Sequence, residues 1–176
     1  VPSAPMSLSW DNIPIWKEPR QNEIKGLDEI LGIGDRYVYA IEIPRCLTIQ
    51  YDHGFSNICY IGRQSNRAIG NRLHGHAKGW ISKFLILAQH NEPFLLHYCR
   101  PRRRNSPNAY KDVEGYLLRI FCERFGRLPL FNKRKEAELA DHFIMLGTSI
   151  FNKRTTSAGM VIDATKEPNS EILDDN

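Results

Sequence analysis

The chain has 176 residues, 41% of them apolar and 25% charged, with a net charge of +4 at neutral pH. Those values describe an ordinary globular domain, long enough to bury a real core. They exclude a membrane-spanning helix, since no run approaches the roughly 18 apolar residues that one requires.

In chain order, Val1-Pro2-Ser3-Ala4-Pro5 lacks the basic flank and apolar centre of a secretory signal and reads as a linker remnant before Met6. Residues 1–35 are mixed in composition, with Trp10, Ile13, Ile15 and Trp16 as apolar anchors, and read as an N-terminal extension. One short helical turn is predicted over 25–31, before Gly32 and Gly34. Tyr37, Val38, Tyr39, Ile41 and Ile43 predict a strand over 36–43, closed by Pro44. Residues 46–51 extend it or form another strand, and Asp52-His53-Gly54 makes a turn. The next strand, 57–62, ends at a glycine where the chain must bend.

Over 71–89, Leu73, Ala77, Trp80 or Ile81, and Phe84 recur at helical spacing. Gly75 and Gly79 weaken that helix by about 1 kcal/mol each relative to alanine. Pro93 introduces a strand over 94–99, which Pro101 ends, and Arg100-Pro101-Arg102-Arg103-Arg104 is a basic loop. A second helix is predicted over about 107–125, with Ser106 or Asn108 near its start and Gly126 at its end. A third is predicted over 136–146. The order is β-β-α-β-α, then mostly helix or coil, and the fold class is small α+β.

Four widely spaced cysteines, Cys46, Cys59, Cys99 and Cys122, form no Cys-x-x-Cys pair. In a chain of this size they read as buried free thiols in a reducing compartment, and the cytoplasm is the expected location. From residue 163 onward there are five acids and one base; the body before it holds 23 bases and 15 acids, a net +8. A basic body with a short acidic tail suggests a polyanionic partner and a disordered end.

The chemistry-bearing residues are Tyr39, Tyr60-Ile61-Gly62-Arg63, Arg72, His76, Glu114 and Asn132. Arg72 and His76 stand four apart and share one helix face beside the apolar stripe. Singly they read as a solvated arginine and a half-buried histidine. Together they can hold phosphate oxygens through paired N–H donors. His74-Gly75-His76 lacks a third and fourth ligand at zinc spacing. Glu114 precedes Leu117 and Leu118, which puts it at the margin of an apolar face, where a lone carboxylate needs a partner or a cation. Lys111, three residues earlier, offers the bland alternative of a weak surface pair. Phe131-Asn132-Lys133-Arg134 recurs as Phe151-Asn152-Lys153-Arg154. Asn132 follows the Glu114 helix by one short turn and can fold back to the carboxylate, so it is the better site residue.

From Arg36 to Lys133 the chain resembles a GIY-YIG nuclease domain, most closely that of a compact type II restriction endonuclease. Tyr37-Val38-Tyr39 stands where the first motif strand belongs, and Tyr60-Ile61-Gly62 is a full match to the second. Arg63, Arg72, His76, Glu114 and Asn132 fall in the family's order on the expected elements. The first glycine is replaced by Tyr37, and the gap from Tyr39 to Tyr60 is longer than usual, which a hairpin insertion absorbs cheaply.

The resemblance implies a three-stranded antiparallel sheet flanked by helices, with a nuclease domain over 36–135. A helical and basic extension follows over 136–162, then an acidic disordered tail over 163–176. It implies hydrolysis of double-stranded DNA, with Mg²⁺ or Mn²⁺ on Glu114 and phosphate on Arg72. Tyr60 accepts the proton of water, supported or replaced by Tyr39. A free tyrosine has a pKa near 10, so Arg63, Arg72 or the metal must favour its phenolate. His76 orients a tyrosine or contacts phosphate, and Asn132 positions the site. Arg102, Arg103, Arg104, Lys133, Arg134, Lys153 and Arg154 supply phosphate affinity. A homodimer is compatible with this reading, and a membrane partner is not expected. The competing readings are a toxin or antiphage effector with the same site, and a binding module that has lost its chemistry.

Overall fold

The computed structural model describes residues 6–17, 24–33, 36–65, 72–81, 83, 92–102, 106–133, 145–146, 149–152 and 160–166. In chain order the elements are β1 (Met6–Ser7), β2 (Asp11–Lys17), β3 (Ile24–Lys25), α1 (Leu27–Gly32), β4 (Tyr37–Glu42), β5 (Leu47–Tyr51), β6 (Gly54–Ser56) and β7 (Ile58–Gln64). Helix α2 (Arg72–His76) then runs into a further helical segment, Ala77–Ile81, which is kinked at Gly79. Strand β8 (Phe94–Cys99), helix α3 (Ala109–Phe125), β9 (Met145–Leu146) and β10 (Met160–Asp163) complete the order. The fold is α+β with antiparallel and mixed sheets.

The central sheet has the order β3-β2-β8-β4-β7, antiparallel at every pairing. It has five strands where three were expected. The additional two come from the segment read as an N-terminal extension. In β2, Ile13 and Ile15 are buried while Asn12, Pro14 and Trp16 are exposed, the period-2 pattern of a half-covered strand. Ile13 pairs with Leu96 and Ile15 with Phe94, which covers the β8 edge and satisfies backbone groups it would otherwise leave open. Pro14, lacking an N–H, is what obscures this strand in the sequence.

Between β4 and β7 the long gap folds into the β5–β6 hairpin, and β10 joins it in parallel alongside β5. The hairpin is tied down by buried polar groups. Asn57 donates from Nδ2 to the Leu47 carbonyl at 2.8 Å, and the Tyr51 hydroxyl donates to the Ile58 carbonyl at 2.7 Å. The Tyr51 ring meets Phe121 edge-on at 5.2 Å, joining hairpin to helix.

Helix α3 ends where Gly126 adopts φ 87°, its N–H bonding the Cys122 carbonyl at 2.8 Å. A Cβ there would lie 2.7 Å from Asp52, so the glycine is required for both conformation and space. The third helix expected over 136–146 falls mostly outside the described residues. Its last two residues, Met145 and Leu146, form β9, paired in parallel with β1. Among the described residues no helix is long and apolar enough to cross a membrane, and the four cysteines are free thiols.

Candidate active site

Pairing of β4 with β7 sets Tyr39 opposite Gly62 and Ile41 opposite Tyr60. Residues opposite each other share a sheet face, so both tyrosine rings cross the surface that Gly62 leaves bare. They stack with centroids 5.9 Å apart and planes at 26°. A Cβ at position 62 would lie 2.6 Å from the Tyr60 ring and 2.8 Å from the Tyr39 hydroxyl. Strand β7 continues through this glycine to Gln64, so it serves close approach and not the expected bend.

The Tyr39 hydroxyl is buried and has no hydrogen-bond partner among the described residues. Burial pushes its phenol well above the usual value; Tyr60 and Tyr37 add to the rise, Arg72 opposes it, and Glu114 adds again. At this phenol desolvation outweighs the Arg72 guanidinium. Tyr39 presents a neutral O–H donor.

Helix α2 and the kinked segment after it bury Leu73, Ala77 and Ile81 in the core, at positions i, i+4 and i+8. Beside them Arg72 is exposed and His76 half-buried. The His76 ring meets Tyr60 edge-on at 4.6 Å. Its Nδ1 accepts from the Trp80 indole N–H at 3.0 Å, and its buried Nε2 has no partner among the described residues. Burial, then the positive charge of Arg72, lowers its pKa from 6.5 to about 4, so the ring is neutral at physiological pH. Gly79 departs from helical geometry at φ −86°, ψ −108°, breaking the helix one residue before Trp80.

Glu114 lies within the apolar stripe of α3, flanked by Tyr110, Leu117, Leu118 and Phe121, and is 3% exposed. The marginal, partly exposed position expected for it is not what the fold provides. Its partner is not Lys111 but Arg63 on β7, whose Nη1 donates to Oε2. A buried carboxylate requires such a partner, and the guanidinium arrives from 51 residues away in sequence, beyond the reach of local spacing rules.

Asn132 also differs from expectation. It folds back onto β7 and not onto Glu114. Its Oδ1 accepts from the Ile61 N–H at 2.9 Å and its Nδ2 donates to the Ile61 carbonyl at 2.7 Å. The Phe131 N–H donates to the Cys59 carbonyl at 2.9 Å, so the loop runs along the outer edge of β7. The amide thus fixes the backbone between Tyr60 and Gly62. Asn152, by contrast, sits exposed near the end of α3, 3.5 Å from the Arg124 Nη1.

Tyr39, Tyr60 and His76 are brought into ring contact, and Glu114 with Arg63 into an ion pair. Arg102 and Lys133 are exposed; Arg103, Arg104, Arg134, Lys153 and Arg154 lie outside the described residues. Sequence reasoning missed the packing role of Gly62 and the contact of Trp80 with His76. The i, i+4 spacing of that pair was the available signal. Among the described residues no group of three or more His, Cys, Asp or Glu side chains gathers as a metal cage. A hard cation that keeps most of its waters needs only one or two carboxylates; Glu114 has the oxygen donors for that, and in this fold they are buried and paired with Arg63. No protein-family model matches the chain, and no match to it is found among curated proteins or solved structures.

Proposed function

We propose that this protein is a metal-dependent endonuclease of the GIY-YIG type that hydrolyses phosphodiester bonds of double-stranded DNA, acting as a site-specific restriction enzyme. The observation that carries this reading is the convergence of Tyr39 and Tyr60 over Gly62 with His76 against the Tyr60 ring, and Arg72 on the helix that carries His76. Packing alone does not call for two tyrosines over a bare glycine and a neutral imidazole against one of them, on a sheet and helix that also carry an arginine and a buried carboxylate.

In this reading Arg72 binds the scissile phosphate and stabilises its added charge. Tyr60, as its phenolate, takes the proton of the attacking water while the water oxygen forms its bond to phosphorus, the P–O bond to the departing strand breaks, and the departing oxygen takes a proton from solvent. Tyr39 and His76 act as neutral donors to anionic oxygen. Glu114 would hold Mg²⁺ or Mn²⁺, which supplies further neutralisation of the phosphate when bound. Asn132 holds the Tyr60–Gly62 backbone in place. The exposed Arg102 and Lys133 belong to the phosphate path.

The Arg63–Glu114 pair favours a second reading, a DNA-binding module without chemistry, because the carboxylate already has a cation. The two are separated by incubating the protein with plasmid and Mg²⁺, with and without EDTA, beside Glu114→Gln. Cleavage that needs both metal and Glu114 supports the first reading; binding without any cleavage supports the second. Sequencing the product ends then distinguishes a restriction enzyme from an unspecific effector or toxin.

A further inference from the structure

We infer that Trp80 is a positioning residue that fixes which nitrogen of His76 carries the proton, so that the ring offers an Nε2–H donor to an anionic phosphodiester oxygen. The acceptor named here rests on the endonuclease reading; the tautomer does not. An indole N–H can only donate, so at 3.0 Å from His76 Nδ1 it requires a lone pair on that nitrogen. The ring is neutral at physiological pH, as its burial and the Arg72 charge demand. A neutral imidazole that accepts at Nδ1 carries its proton at Nε2. That nitrogen is buried without a partner among the described residues, and a desolvated donor with nothing to bond is a cost that an incoming oxygen would remove.

The indole is itself held from two sides. It stacks on Phe131 at 4.2 Å and 29°, and meets Phe94 edge-on at 6.0 Å. Phe131 belongs to the same loop that bonds Cys59 and, through Asn132, Ile61. One loop therefore steadies the strand bearing Tyr60 and the indole that orients His76. The kink at Gly79, one residue earlier, sets the direction in which Trp80 leaves the backbone.

The test is a long-range ¹H–¹⁵N correlation spectrum of the full chain labelled with ¹⁵N-histidine at neutral pH, His76 being assigned by its loss in His76→Asn. The expected signature is an unprotonated Nδ1 and a protonated Nε2. In Trp80→Phe, which keeps an aromatic ring but no donor, the signature should move toward a mixture of tautomers. Single-turnover cleavage of plasmid should fall about tenfold, equivalent to about 1.4 kcal/mol. A wild-type ring protonated at Nδ1 or at both nitrogens overturns the inference, as does an unchanged signature in Trp80→Phe. The wild-type spectrum alone decides the tautomer if the variant does not fold. Absence of cleavage by the wild-type chain removes the endonuclease reading and the phosphodiester acceptor, and leaves the nitrogen signature to be read separately.

Discussion

A methyl group at position 62 would sit 2.6 Å from the Tyr60 ring and 2.8 Å from Tyr39, so Gly62→Ala forces both rings from their places. Overpacking of this kind costs about 1–3 kcal/mol, and cleavage should fall much further than stability because both hydroxyls move. Denaturant midpoints beside single-turnover rates check this; a variant that loses both in proportion would point to simple unfolding. Glu114→Gln should abolish cleavage while keeping the side chain's shape. Its stability should also drop, by about 1–3 kcal/mol, since the carboxylate is buried and its charge-assisted bond to Arg63 is weakened. His76 contributes a pH dependence. Its folded pKa of about 4 lies below the usual 6.5, so the unfolded chain takes up a proton first as pH falls. Stability from this group is complete above pH 6.5 and is lost as pH falls toward 4. The stability difference between wild type and His76→Phe should therefore shrink between about pH 7 and pH 5; a constant difference would show that the ring is not held neutral.

At the scale of elements, the repeated Phe-Asn-Lys-Arg gives the sharpest contrast. Asn132→Ala removes both partners of the Ile61 backbone groups, a cost of about 1–3 kcal/mol for each buried group left unsatisfied. It should cripple the chemical step by loosening the strand that carries Tyr60. Asn152→Ala loses only a 3.5 Å contact between an exposed amide and the half-buried Arg124 near the end of α3, and should change stability by no more than about 0.5 kcal/mol. Single-turnover cleavage at saturating enzyme reads the two side by side. Equal losses would mean that the loop after α3 does not position the site. The return of the chain after α3 that carries Asn132 was legible from chain distance, yet the partner of its amide was not: chain distance brings the asparagine near β7 as readily as near the carboxylate. Helix α3 was legible in its span and its Gly126 stop, because both arise from local geometry. That Glu114 falls inside its apolar stripe follows from the same 3.6-residue period, but that Arg63 makes this burial tolerable does not.

For the whole molecule, β2 covers the β8 edge with Ile13 and Ile15 inside, and Ile30 and Ile33 are buried too. A chain trimmed to begin at residue 36 should therefore lose cooperative folding or self-associate through the opened edge, as size-exclusion and circular dichroism would report. A monomer with an unchanged melting point would show that the extension is dispensable. On the proposed endonuclease reading, Arg102, Arg103 and Arg104 supply DNA affinity. Neutralising the three should flatten the salt dependence of binding, by a slope of about 0.9 for each phosphate that no longer has its cation. Binding unchanged by the triple substitution would place the phosphate path elsewhere.

The strands β4, β5, β7 and β8 and helix α3 could be read in the sequence because alternation, helical period, proline and glycine act within a few residues. The side chains of the candidate site could be picked out by type alone, since tyrosine, arginine, histidine and glutamate carry the same functional groups wherever they stand. Their partners depend on approaches between distant parts of the chain. Strand pairing sets Gly62 beneath two tyrosine rings, burial leaves Tyr39 a donor, and a loop 71 residues from Ile61 grips its backbone. Such approaches, and the desolvation that comes with them, exist only once the sheet has closed, and tertiary structure alone decides them.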